Sequence, residues 1–539
     1  AAAVIVPGAL TGDGGAVVEA VAQEQAGATV SEEAVAPMDE EDMVANCRYG
    51  TATDKFSGYQ KWVDDLGAGW WLDFQVNYTE PAANGAEFAH LIWVEQAKDA
   101  NGNYLDDYMT APTMVRDALG YLIEKRPGRM WIVGNEVDRG PDQGQTTGGQ
   151  GDTMPQMYAK IYHDVYHYIK AWDPTALVTP SALVQVTPGR IQYLDLMWDA
   201  YMDLYGEMMP VDLWNIHLYI LPELRRDGNP SYFSSIALGT DPSLGMLEFG
   251  GDIAECQLEN VYCVYEHDSI DAFEGQVVRM RTWMRDHGYK NKPLIITEYS
   301  LLLPYEERPE PEGCWVQDEF GNCFTPERVR DFAAASFNYL ETATDPDLGY
   351  EHDNDRLVQQ WLWYGMYRTG LGKTSNLAAG GADPLSLTLA GQAFAAATRS
   401  EPAHVNLIPT EVRNPAGSIS ESGQVSARLS IAVRNNGNTR ANEPVTVTFY
   451  SDEALTQVLG SQTIQAPDAD FPGLTGCAVR SMPVSIEADW DSGMAPGEYR
   501  YWVKVDSSGS VDESDESDNV ASGVIMLLPA GVYLPLMVR

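Results

Sequence analysis

Short apolar runs of strand length alternate with longer stretches of helical spacing across residues 46–400. Eight runs read as buried strands: Cys47–Thr51, Gly69–Val76, Phe88–Val94, Met130–Asn135, Leu177–Ser181, Leu213–Leu218, Leu294–Tyr299 and Gln360–Tyr364. Between most of them apolar residues recur every three or four positions, at Thr113–Lys125, Met154–Trp172, Ile191–Tyr205, Ile270–His287 and Pro326–Thr342. Pro155 and Pro326 stand where a first helical turn tolerates proline. Strands alternating with helices over about 350 residues predict an α/β domain, a (β/α)8 TIM barrel. A doubly wound open sheet is the competing arrangement, but no GxGxxG follows an early strand to favour it.

From about residue 401 the helical spacing ends. Alternating runs at Ser426–Arg434, Val445–Tyr450, Val479–Glu487 and Glu498–Asp506 are separated by turns such as Asn435-Asn436-Gly437-Asn438 and Ala495-Pro496-Gly497. This pattern predicts an immunoglobulin-like antiparallel β-sandwich over 401–528, with Ser400-Glu401-Pro402 as a hinge. Two flanking segments stand apart. Residues 1–45 hold nine acids and no Lys or Arg, an acidic arm. Residues 529–539 form a short apolar tail. Both are candidate contacts for a homo-oligomer or filament, the arm by adding Val4-Ile5-Val6 to a sheet edge.

The chain has 34 Lys+Arg against 78 Asp+Glu in 539 residues, a net charge of −44 and a pI near 4.3. That balance argues against nucleic acid or an anionic membrane as the partner, since both require clustered cations. No run of about 18 apolar residues is present, so no membrane-spanning helix is expected. The start at Ala1, without Met or a basic apolar leader, reads as a processed, secreted chain, extracellular or at the cell surface. Six cysteines fit an oxidising compartment. Cys256 with Cys263 and Cys314 with Cys323 are spaced to staple loops, while Cys47 and Cys477 are either singly buried or tie the two ends together. Without CxxC a zinc site is disfavoured, and no metal or other cofactor is expected. Acidic clusters at Asp39–Asp42, Glu351–Asp355 and Asp512–Asp518 lack EF-hand spacing and read as solvated faces.

The candidate chemistry sits at strand ends. The fourth strand ends Val133-Gly134-Asn135-Glu136 and the seventh Ile296-Thr297-Glu298-Tyr299. In a (β/α)8 barrel, catalytic side chains project from the C-terminal ends of the strands. Two facing carboxylates there are what a retaining glycosidase needs, one as acid/base and one as nucleophile, about 5–5.5 Å apart. With Asn-Glu on strand four, Thr-Glu on strand seven, His217-Leu218-Tyr219 on strand six and Trp361 and Trp363 on strand eight, residues 46–400 resemble clan A glycoside hydrolases. The resemblance implies that Glu136 is the acid/base and Glu298 the nucleophile. It implies that Asn135 bonds the sugar 2-hydroxyl, that His217 and Tyr219 orient or neutralise the nucleophile, and that one strand-eight tryptophan floors the sugar subsite. Two departures are visible. Val137 stands where the family has proline, followed by Asp138 and Arg139, and Arg48 is only a candidate for the family's early-strand arginine. Residues 405–528 resemble the CARDB type of bacterial cell-adhesion-related sandwich, through the Asn-rich turn before Val445–Asp452 and the acidic stretch ending in Asn519. That resemblance implies an extracellular accessory module without chemistry of its own.

The expected function is a secreted retaining β-glycosidase acting on a neutral or cationic carbohydrate by a two-glutamate double displacement. The competing expectation is a non-catalytic surface, adhesion or filament protein built on a glycosidase-like barrel. A blocked cleft, or Glu136 locked to Arg139, favours the second.

Overall fold

The computed structural model describes residues 45–53, 61–76, 85–140, 150–225, 234–246, 256, 261–303, 307–308, 313–314, 316–368, 373–380, 385–419, 424–468, 471–491 and 495–529. The arm up to residue 44 and the tail from 530 lie outside the described residues, as does any contact assigned to them.

The N-terminal domain is mixed α/β. Its main strands are β1 (Asn46–Ala52), β2 (Ala68–Leu72), β3 (Glu87–Phe88), β4 (His90–Lys98), β5 (Tyr104–Ala111), β6 (Met130–Val133), β7 (Leu177–Pro180), β8 (Trp214–His217), β9 (Leu294–Tyr299) and β10 (Gln360–Trp363). They pair as two arcs. One runs β3-β2-β1-β10-β9-β8 and the other β5-β4-β6-β7. Every pair is parallel except β4 with β5. The arcs share the chain at Ala89, whose N–H donates to the Trp71 carbonyl at 2.9 Å. All eight predicted strands are therefore present. Most are buried along their whole length, which is why they read as unbroken apolar runs.

The helices α1 (Lys61–Asp65), α2 (Tyr121–Lys125), α3 (Pro155–Trp172), α4 (Pro188–Tyr205), α5 (Ile270–Asp286), α6 (Pro326–Thr342) and α7 (Leu389–Ala397) lie between or after the parallel strands. Their ends are chemically marked. The Thr325 side chain accepts from Arg328 N–H ahead of α6, Ser269 from Ala272 N–H ahead of α5, and Thr388 from Gly391 N–H ahead of α7. Pro155, Pro188 and Pro326 open α3, α4 and α6. The Thr113–Lys125 helix is shorter than its spacing suggests: Arg116–Gly120 forms a π turn before α2. An aromatic layer of Tyr49, Phe337, Trp361 and Phe394 packs edge-on between the strands and α6 and α7, at centroid spacings of 4.9–5.6 Å.

The C-terminal domain is a β-sandwich of β11 (Leu407–Thr410), β12 (Ala416–Ile419), β13 (Gln424–Asn435), β14 (Val445–Tyr450), β15 (Val458–Ile464), β16 (Met482–Asp491), β17 (Gly497–Lys504) and β18 (Val520–Pro529). Its pairings are antiparallel except β12 with β18, which is parallel. Val433, Phe449, Val503 and Leu527 centre its core.

The two domains are joined covalently. Cys47, at the start of β1, is bonded to Cys477 across 430 residues. The Cys47 N–H donates to the Asn438 carbonyl and the Cys477 N–H to the Gly437 carbonyl, both at 2.8 Å. Arg480, 2% exposed, reaches from the sandwich to the Gly128 carbonyl and to Glu87, 2.6 Å away. Cys47, Glu87 and Gly128 all stand at or before strand starts, so the sandwich docks on the N-terminal face of the strands. Removing a native disulfide typically costs about 2–5 kcal/mol. A Cys47→Ser/Cys477→Ser variant is therefore expected to melt earlier by calorimetry, with separate transitions for the α/β domain and the sandwich. An unchanged single transition would mean that the Arg480 contacts alone couple the domains.

Candidate active site

Glu136 leaves β6 through a turn whose Gly134 has φ +92° and Glu136 φ +43°. The left-handed region costs a non-glycine residue of order 1–3 kcal/mol and persists where surrounding structure imposes it. Here the Glu136 N–H donates to the Ala182 carbonyl at 3.1 Å, and the Gly151 N–H to the Asn135 carbonyl at 3.0 Å. Glu298 lies near the end of β9. Its register partner is His217, the last residue of β8. Glu136, His217 and Glu298 each place one polar atom within 4.8 Å of the other two.

His217 stands between the carboxylates. Its Nδ1 is 3.1 Å from Glu136 Oε1 and its Nε2 3.4 Å from Glu298 Oε1. The Tyr219 hydroxyl donates to Glu298 Oε2 at 2.8 Å. Arg139 Nη1 is 3.7 Å from Glu136 Oε2. Both glutamates and the histidine are at most 1% exposed.

Electrostatics orders the protons. Burial opposes ionisation of Glu136, but the hydrogen bond and charge of His217, with Arg139, outweigh it and hold this carboxyl below the usual glutamate range. At Glu298 burial prevails, aided by repulsion from Glu136, and the carboxyl is held above that range. Burial also opposes protonation of His217, yet the charges of Glu298 and Glu136 raise it above the ordinary histidine value. In this cluster Glu298 keeps a proton more readily than Glu136. That is the reverse of the order the resemblance implies, and the cause is the closer His217 contact to Glu136.

Asn135 is buried beside this cluster, its amide donating to Gln150 Oε1 at 2.8 Å. Trp361 and Trp363 do not reach the cluster. Trp361 packs on Tyr49, while Trp363 packs on Tyr299 and Phe337 and donates to the Ser375 carbonyl. Both fill the layer between strands and helices, so neither floors a sugar subsite. Tyr364, just past the end of the same strand, faces Tyr219 at 6.4 Å and Phe74 at 5.8 Å, with the Arg368 guanidinium over its ring at 4.5 Å. The alternation of side chains along β10 separates the two sets but does not tell which points inward. Arg48 is also displaced. It forms a bidentate pair with Asp353 at 2.9 and 3.0 Å and donates to the Gln359 carbonyl, ahead of β10. Asp138 turns from Arg139 to the buried Arg190, which also holds Glu223 at 2.6 Å.

Cys256 and Cys263 are bonded. Cys323 is in a disulfide too, while the Cys314 side chain lies outside the described residues. The carboxylate–imidazole–carboxylate donor set has the types a transition metal accepts, but each ring nitrogen of His217 already faces a carboxylate.

Residues 406–523 match the CARDB family model. No curated protein matches the chain. Among solved structures, a GH128 endo-β-1,3-glucanase from Amycolatopsis mediterranei bound to laminaritriose is 16% identical over 65% of this chain and 99% of that one, with a TM-score of 0.36. A family 51 α-L-arabinofuranosidase from Bifidobacterium longum is 11% identical over 83% and 97%, with a TM-score of 0.35. A CARDB domain from Pyrococcus furiosus in complex with di-metal ions is 17% identical over 24% and 96%, with a TM-score of 0.17. These scores are low, and the chemistry of the strand-end cluster rests on its own geometry.

The raised His217 contributes stability that is full below the ordinary histidine pKa of about 6.5 and is lost as pH rises through its raised value. The raised Glu298 carboxyl adds a loss in the same direction, and the depressed Glu136 adds stability that is lost only as pH falls. The thermal midpoint is expected to decline above about pH 6.5, and a His217→Gln variant to keep only the part of that decline that Glu298 supplies. Thermal scans of both proteins from acid to alkaline pH read this directly. An identical alkaline decline in the variant would remove His217 as its source.

Proposed function

We propose that the two arcs close into one (β/α)8 barrel and that the strand-end cluster is the centre of a retaining glycosidase. Closure is supported at the remaining seam, where the Asp212 N–H donates to the Val178 carbonyl and the His217 N–H to the Leu183 carbonyl, both at 3.1 Å. The observation that carries the glycosidase reading is the pair of glutamates at the ends of the fourth and seventh parallel strands, with an oxygen of each within 4.8 Å. That close approach of the two carboxyl groups is compatible with the roughly 5–5.5 Å separation of a retaining pair.

In this reading Glu298 attacks the anomeric carbon and forms a glycosyl-enzyme. Glu136 protonates the departing oxygen and then takes a proton from the water that hydrolyses the intermediate. Tyr219 fixes the Glu298 oxygen that does not attack. His217 moderates the repulsion between the glutamates. A sugar that displaces the His217–Glu136 hydrogen bond removes the contact that holds Glu136 down, so its pKa rises toward that of an acid catalyst. The −44 charge favours a neutral or cationic glycan over an acidic one at this centre. The disulfides support a secreted chain at or beyond the cell surface, and the CARDB match supports an accessory role for the sandwich.

A second reading, a non-catalytic surface or filament protein on this fold, is favoured by the near-complete burial of both glutamates and by Arg139 beside Glu136. Hydrolysis of aryl β-glycosides and β-glucans separates the two. Turnover by the wild type that falls by orders of magnitude in Glu298→Gln supports catalysis. No turnover by folded, monodisperse protein supports the second reading. Azide tests the assignment of roles: Glu298→Gly is expected to release the α-glycosyl azide and Glu136→Ala the β-glycosyl azide. The opposite pattern would exchange the two roles, in line with the proton order of the cluster.

A further inference from the structure

On the face of the strands opposite the glutamates, the two domains enclose a cleft of about 920 Å³. Its barrel wall carries Lys170 from the last turn of α3, and Asp212 and Lys292 from just before β8 and β9. Its sandwich wall carries Glu411, Arg413, Arg428 and Arg434. Five cations therefore face two carboxylates, in a chain where acids outnumber bases 78 to 34.

Three of the five have acidic neighbours. Lys170 is 2.7 Å from Asp212, Arg434 is 3.0 Å from Glu411, and the exposed Arg428 is 3.7 Å from Glu487. Lys292 and Arg413 have no side-chain hydrogen bond or ion pair among the described residues. Lys292 is partly buried. Burial pushes its ammonium below the usual lysine range, and Arg434 and Lys170 add to this against the pull of Asp212 and Glu411. A partly desolvated cation without a partner is an unfavourable arrangement that a bound anion relieves.

Uncharged hydrogen-bonding groups complete the walls: Thr175 from the barrel, and Asn414, Ser430 and Ser485 from the sandwich. Such groups suit hydroxyls, and the volume lies near the top of the roughly 300–1,000 Å³ typical of small-molecule sites, far beyond one inorganic ion. We propose that this interdomain cleft binds a short acidic oligosaccharide, its carboxylates set against Lys292 from the barrel and Arg413 from the sandwich. The acidic surface elsewhere does not forbid this, because charges beyond about 8 Å are largely screened at physiological ionic strength. The site is separate from the strand-end glutamates and does not depend on their activity.

Calorimetric titration of the full chain with trigalacturonate, at low and physiological ionic strength, tests the assignment. Saturable binding is expected, weakening with salt. Lys292→Gln and Arg413→Gln are each expected to weaken it about tenfold or more, with the thermal midpoint of the exposed Arg413 variant unchanged. A neutral trisaccharide is expected not to bind, and citrate to bind at least about tenfold more weakly than the trisaccharide uronate. Absence of binding, binding unaltered in both variants, or equal binding of the neutral sugar would overturn the proposal. Equal binding of citrate would overturn the saccharide part and leave a site for small carboxylates.

Discussion

Two carboxylates buried within 4.8 Å of each other are the constraint on which the strand-end architecture depends. Neither can ionise freely there, since desolvation and mutual repulsion both favour the neutral forms. A single imidazole with a nitrogen toward each is the compensation the structure supplies. It is possible because His217 and Glu298 are register partners on adjacent parallel strands, and because the left-handed turn after β6 brings Glu136 across to them. A one-residue slip of β8 against β9 would turn His217 to the other face and strand both charges. The cost of the Glu136 backbone and the register of two strands are thus tied to the same compensation.

Much of this was legible in the sequence because parallel strands buried on both faces leave uninterrupted apolar runs. Leu294–Tyr299 and Pro326–Thr342 have the boundaries their patterns predict. What was not legible has identifiable causes. β5 is largely exposed, and its residues YLDDYMTA lack a buried face to pattern, so the β4–β5 hairpin left little signal. The tryptophans of β10 were on one side by parity. Only the packed helices show that this side faces outward, where bulky aromatics fill the layer beneath α6 and α7. The proton order within the cluster turns on contacts of 3.1 and 3.4 Å, which no spacing in the chain encodes. Cysteines seven residues apart announce a local staple, but a bridge spanning 430 residues is decided only by the docking of two domains.

That docking rests on a segment that read as an ordinary turn. The Asn435 side chain accepts from the Gly437 and Asn406 N–H groups and donates to the Thr439 carbonyl. Asn438 ties the same turn to the interdomain segment through the Pro402 carbonyl and the His404 N–H. With its own side chains closing the loop internally, the turn is left with the Gly437 and Asn438 carbonyls to receive Cys477 and Cys47. Amide side chains suit this role because each offers a donor and an acceptor at one site. The sandwich is consequently held against strand starts, and the strand ends bearing the glutamates stay clear of it.

The two ends of the parallel strands then differ in charge as well as in position. At the strand ends, the Glu136 carboxylate has His217 and Arg139 as cationic neighbours, and Glu298 is held toward its neutral form. A neutral sugar entering such a cluster displaces little hydration from unpaired charge, so the interactions it gains are not consumed by desolvation. At the strand starts the balance is five cations to two carboxylates, and two of the cations have no ion pair among the described residues. In a chain of net charge −44, cations kept together without partners run against the prevailing field. Lys292 has a nearby acid on each domain, Asp212 and Glu411, yet each is already committed to another cation. The local carboxylates therefore leave the cleft with an excess of cations, which is the feature that the proposed anionic ligand would meet.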